Sequence, residues 1–244
     1  MKIYINNNEF TKDEMDAFTR KRLAIGAKLM HFKLPEGSLY EQRKAFSDYK
    51  LSLNYEEMLH VLGFKLKLAS VANELMNKLS RKSKWCFCTI CDDSGISAKE
   101  MYEKILEVNI NREKSEEYRR INNFVTPDHY VQANSGEKSI DIIECTGNLN
   151  MPVHFEITFD DPSGLTMDAD PVYPYQWYGT ARSKRGTVEG GVRHQFRDTE
   201  NGFELKLGVQ FPSLCPKALL DDHSKHLALE QSNWIEACKK LIKK

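Results

Sequence analysis

The chain has 244 residues, 41% of them hydrophobic and 29% charged, with Lys+Arg and Asp+Glu both at 35. That balance excludes a net field that would draw in nucleic acid or an anionic membrane, and no apolar run approaches the roughly 20 residues needed to span a bilayer. The opening MKIYINNNEF has no apolar signal core, and six cysteines in a chain of this size do not read as a disulfide framework, so a reducing cytoplasm is expected.

The first 80 or so residues read as mostly helical. TKDEMDAFTRKRLAIGAKLMHF opens on a Thr-x-x-Glu capping box, Thr11 and Glu14. Its Met15, Phe18, Ile25 and Leu29 share one helix face, with Leu23 lying off it. In NYEEMLHVLGFKLKLASVANELMNKL the apolar positions Leu59, Leu62, Leu66, Ala69, Ala72, Leu75 and Leu79 recur at three and four. His31 and His60 fall in these segments and read as structural or surface residues. Next comes CFCTIC, with Cys86, Cys88 and Cys91. Three thiolates can ligate zinc, but no fourth partner is near and the run is apolar, so a buried strand with cysteine as a small hydrophobe is expected.

SAKEMYEKILEV predicts a further helix capped by Ser97, and NREKSEEYRR a solvated helix face. From about 124 to 212 the chain turns to aromatic, β-branched and turn residues, the signature of strands. GGVRHQFRDTENGFELKLGVQF reads as a hairpin turning at TENG. Pro216 then opens a helix that runs to the last residues. The predicted architecture is α+β: a helical region over 1–82, then over 83–244 a curved antiparallel sheet gripping a long C-terminal helix. Such a grip encloses a pocket between sheet and helix.

The closing helix carries an apolar stripe, Leu219, Leu227, Trp234, Cys238 and Leu241, and His226 and Glu230 fall along it. Four residues apart, they project from one face about 6 Å apart. They can form a solvated surface pair, a buried pair satisfied by hydrogen bonds, or half of a metal site; His223 competes as a ligand. His129 in TPDHY and Glu144 in IIECTG are the further candidates from the sheet. His154 and Glu156 alternate with Val153, Phe155 and Ile157, which favours solvent-facing positions for the polar pair. His194 in RHQFRD is open to a pocket-facing or a surface role.

In order along the chain, GISAKEM, EYRRINNFVTPDHY, IDIIECTG, RHQFRDTENGFELK and HLALE resemble five stretches of the 2,4-diacetylphloroglucinol and phloretin hydrolase family. The resemblance covers roughly residues 95 to 240. It implies a helix-grip domain similar to the Bet v 1 and START-type folds, with a zinc ion held by His129, Glu144, His226 and Glu230. It also implies hydrolysis of a carbon–carbon bond between an acyl group and a phenolic ring, and thus a small aromatic ketone as partner. Zinc would polarise the acyl carbonyl or activate a water, and His194, Tyr130 or Tyr178 would protonate the departing ring carbon. The alternative is a non-catalytic helix-grip module for a polycyclic or lipid-like molecule. The N-terminal helices leave two roles open, capping the pocket or forming a homodimer interface.

Overall fold

A computed structural model describes residues 1–145 and 150–243. The end of the IIECTG stretch, Thr146 and Gly147, lies outside the described residues. Among the described residues nine strands form a single antiparallel sheet. In chain order they are β1 (Lys2–Ile5), β2 (Asn8–Glu9), β3 (Ser83–Asp92), β4 (His129–Asn134), β5 (Ser139–Glu144), β6 (Val153–Phe159), β7 (Tyr175–Ser183), β8 (Val188–Thr199) and β9 (Gly202–Pro212). Their order across the sheet is β2-β1-β3-β9-β8-β7-β6-β5-β4. From β4 to β9 each strand pairs with its sequence neighbour, and β3 then adds to β9 from across the sequence. The hairpin β8–β9 closes at Thr199↔Gly202, inside TENG.

The helices are α1 (Lys12–Leu29), α2 (Leu39–Ser52), α3 (Tyr55–Leu79), α4 (Ala98–Ile110), α5 (Glu116–Phe124) and α6 (Lys217–Ile242). Capping boxes at Thr11/Glu14, Ser38/Glu41 and Asn54/Glu57 satisfy the first free N–H groups of α1, α2 and α3. Ser97 does the same for α4 through Glu100 N–H. With 26 residues, α6 is about 39 Å long. It packs on β3 and is flanked by α4, α1 and α5, so side chains all round it are buried, from Leu219 and Leu227 to Trp234 and Cys238. The sheet and α6 make the expected α+β helix-grip fold.

Along β3, Cys86, Cys88 and Ile90 alternate into the core shared with α6, and all six cysteines of the chain are free. The N-terminal region departs from a purely helical reading, because β1 hydrogen-bonds to β3 and extends the sheet. Leu23 is buried, since α1 lies between two apolar clusters: Phe18 belongs to the one around α6, and Leu23 to another with Phe46, Met58 and Leu62. In α3 the regular run of leucines divides. Leu62, Leu66 and Ala69 are buried, whereas Leu75 and Leu79 are exposed. Gly63, at φ 39° and ψ −119°, interrupts the helix between its two halves.

Gly190 sits where the β7–β8 register shifts, at φ 154°. A Cβ there would lie 2.0 Å from the carbonyl oxygen of Gln210. Gly190→Ala is therefore expected to destabilise the protein by about 2 kcal/mol or more, read as a fall in the urea midpoint at constant m-value.

Candidate functional site

Between the inner face of the sheet and α6 lies a cavity of about 940 Å³, counting its open mouth. Its walls are apolar, formed by residues such as Ile140, Ile142, Phe155, Ile157, Trp177 and Trp234. Strand alternation places them: on β6, Val153, Phe155, Ile157 and Phe159 line the cavity. His154 lies on the opposite face, where it is hydrogen-bonded to Asp141 at 3.0 Å.

One end of the cavity is polar. The β4–β5 register sets His129 opposite Glu144, with Nε2 of His129 2.8 Å from Oε2 of Glu144. α6 supplies His226 and Glu230 one turn apart, with Nε2 of His226 3.9 Å from Oε2 of Glu230. The two groups meet where the Nε2 atoms of His129 and His226 approach to 3.2 Å. His129, His226 and Glu230 present ligand-capable atoms all within 4.8 Å of one another, the arrangement among the described residues that a cation could use. His129 Nε2 can donate to Glu144 or accept from His226 but not both, so the two hydrogen bonds exclude one another.

Behind His226 lies Asp128, which the sequence reading missed. His226 Nδ1 donates to its Oδ2 at 3.4 Å. Arg22 of α1 donates Nε to both carboxylate oxygens at 2.9 Å, and its Nη2 lies 2.8 Å from Oδ1. Arg22 and Asp128 are both fully buried. Burial disfavours the charged imidazolium of His226, but the hydrogen bond it donates to Asp128 and the charges of Glu144, Asp128 and Glu230 outweigh it and hold the group at about 8. Burial likewise opposes ionisation of Glu144, yet His129, His226 and His223 draw it down to about 2. His223, stacked on His226 at 5.1 Å, is pushed down to about 3 by burial and by the positive charge of His226.

His194 reaches the cavity from β8, edge-on to Trp177 at 5.6 Å, and burial lowers it to about 4. The other two predicted proton donors are elsewhere. Tyr178, one residue after Trp177, faces away from the cavity beneath the Arg193 guanidinium. The Tyr130 hydroxyl meets Cys145 Sγ at 3.8 Å in the cluster packed under α2 and α3. Neither tyrosine lines the cavity, because both point to the other side of the sheet. Nor did anything in the sequence signal that five residues lining the cavity each hold a buried atom without a hydrogen-bond partner: Asn109 Oδ1, Trp177 Nε1, His194 Nδ1, His223 Nδ1 and Gln231 Oε1.

No family model matches the chain, and no curated protein matches it. Among solved structures, the chain is similar to the crystal structure of Ara h 8.0201 at TM-score 0.40 and 9% identity, over 66% of this chain and 98% of that one. It is also similar to human STARD10 at TM-score 0.35 and 15% identity, over 68% of this chain and 67% of that one. The resemblance to the phloroglucinol and phloretin hydrolases therefore finds no counterpart. With it fall the carbon–carbon hydrolase activity, the zinc cofactor and the aromatic ketone substrate. The physical reason is that His129, Glu144, His226 and Asp128 already compensate one another's charge and hydrogen bonds, so their presence along a chain does not by itself call for an ion.

Two outcomes test this description. Arg22→Met leaves a buried carboxylate without its cation and is expected to cost about 3–5 kcal/mol in urea unfolding. Arg22→Met/Asp128→Asn should recover at least half of that loss. Glu189 at the cavity wall is pushed up to about 7, first by burial and then by the Glu74 charge, against a hydrogen bond from Asn73. Its stabilising neutral form is fully present below about 4.5 and is lost as pH rises through about 7. Glu189→Gln should therefore be more stable than the parent at pH 8, by about 1–2 kcal/mol, and equal to it at pH 4.5.

Proposed function

We propose that this protein is a non-catalytic helix-grip module that encloses a lipid-like or polycyclic small molecule between its sheet and α6. The observation that carries the reading is the cavity itself: apolar walls, with polar groups converging at one end. An apolar body would lie along Ile142, Phe155, Ile157 and Trp177. A polar group on the same molecule would meet His129, Glu144, His226 and Glu230, while His194 lies with Trp177 on another part of the wall. The unpartnered atoms support this. Each buried polar atom without a hydrogen bond costs about 1–3 kcal/mol, and among the lining residues Trp177 holds an unpartnered donor and Gln231 an unpartnered acceptor. A ligand carrying a hydroxyl or carbonyl recovers part of that cost on binding. The buried, free thiols of Cys86, Cys88, Cys145, Cys215 and Cys238 support a reducing compartment such as the cytoplasm.

Titration with the neutral apolar fluorophore N-phenyl-1-naphthylamine tests the reading. The parent should bind it saturably, and Ile142→Trp, which fills the cavity, should weaken binding at least tenfold while leaving the circular dichroism spectrum unchanged. Glu230→Gln should alter affinity by no more than about threefold, because it touches only the polar end. Equal binding by Ile142→Trp would sink the proposed site.

A further inference from the structure

Beyond Gly63, α3 is amphipathic in an unusual sense. One face of residues 64–79 is buried through Leu66 and Ala69 and reaches the cavity wall through Asn73. The opposite face exposes Phe64, Leu68, Val71, Leu75 and Leu79 to solvent, with Phe64 77% and Leu79 63% exposed. These positions recur at four, three, four and four, and so form one continuous stripe along about 24 Å of helix. Leu214, 55% exposed, is held at the far end, where its N–H donates to Ser80 Oγ. Contiguous apolar surface of this kind marks a docking site.

The charges around the stripe choose its occupant. From residue 64 to residue 84 the chain carries Lys65, Lys67, Lys78, Arg81, Lys82 and Lys84, and Glu74 is the single acid. All six cations are exposed. Glu74 is spent in an ion pair with Arg185 at 2.8 Å. A chain with no net charge thus concentrates a strongly basic rim around one apolar stripe. A second copy docking through the same face would bring the two basic rims together, which disfavours self-association. An anionic lipid surface meets both features, taking the apolar side chains among its acyl groups and the lysines at its headgroups.

We propose that residues 64–84 are a peripheral membrane-docking element for anionic phospholipid bilayers. No helix of the described residues is long and apolar enough to cross a membrane, and this contact requires none, since α3 lies in the plane of the interface. The proposal is independent of what the cavity holds.

Flotation with large unilamellar vesicles tests it. The full chain should float with vesicles of phosphatidylcholine containing 30% phosphatidylserine at low salt, and binding should fall at least tenfold on pure phosphatidylcholine or in 0.5 M NaCl. Leu68→Glu/Leu75→Glu should abolish flotation while leaving the melting temperature unchanged, because both residues are exposed. Lys67→Glu/Lys78→Glu should weaken binding to the anionic vesicles by about tenfold or more, given a factor of about five per cation at the surface. Failure of the parent to float with anionic vesicles overturns the proposal. So does binding that the Leu68→Glu/Leu75→Glu variant retains. A parent that is dimeric by light scattering, fails to float, and becomes monomeric in that variant overturns it in favour of a second copy as occupant.

Discussion

Everything at the polar end of the cavity depends on the buried contact between Arg22 and Asp128. It brings together three parts of the chain distant in sequence: α1, the residues leading into β4, and, through His226, the helix at the centre of the grip. A carboxylate this deep is tolerated only with a full set of donors. Arg22 and His226 supply them and hold Asp128 below the usual carboxylate range against its burial. The same bond fixes the His226 ring with Nδ1 turned outward to Asp128 and Nε2 turned toward His129. The N-terminal helices are thus part of the site's foundation, although none of the residues expected to form the site lies in them.

Much of the architecture was legible because it rests on local rules. The capping box at Thr11, the cap at Ser97, the TENG turn and the proline before α6 each act within a few residues, and each appears where those rules place it. Convergence of His129, Glu144, His226 and Glu230 was legible in part. Helical spacing brought the last two together, but the pairing of His129 with Glu144 is a matter of strand register, which local patterns do not set. Asp128 and Arg22 were invisible because an ion pair across 106 residues has no periodicity. The family resemblance misled for a related reason. Histidines and glutamates gathered at the end of a pocket satisfy one another's hydrogen bonds, so short matches around them carry little information about chemistry.

Leu75 and Leu79 illustrate a different failure. Their spacing continues the run from Leu62 and Leu66, so sequence periodicity groups them on one buried face. Leu66 and Leu75 are nine residues apart, which at 3.6 residues per turn sets them half a turn from one another, so within the segment after Gly63 they fall on opposite faces. The first half anchors in the cluster with Phe46 and Met58. The second half covers the cavity wall with one face and leaves its leucines outward on the other. A period of 3.6 reports that a segment is amphipathic, not which of its two faces meets the protein.

The helix that fills the grip follows every strand that wraps it. β3 finds its neighbour β9 only after more than a hundred intervening residues, through pairs such as Cys86↔Val209, and α6 comes later still. Contacts of such long sequence separation form slowly. During synthesis the inner face of the sheet, with Cys88, Ile90, Leu205 and Leu207, lacks its central partner until α6 has left the ribosome. Completion of the core therefore waits on α6 and depends on protection of the apolar sheet from aggregation until that helix is made.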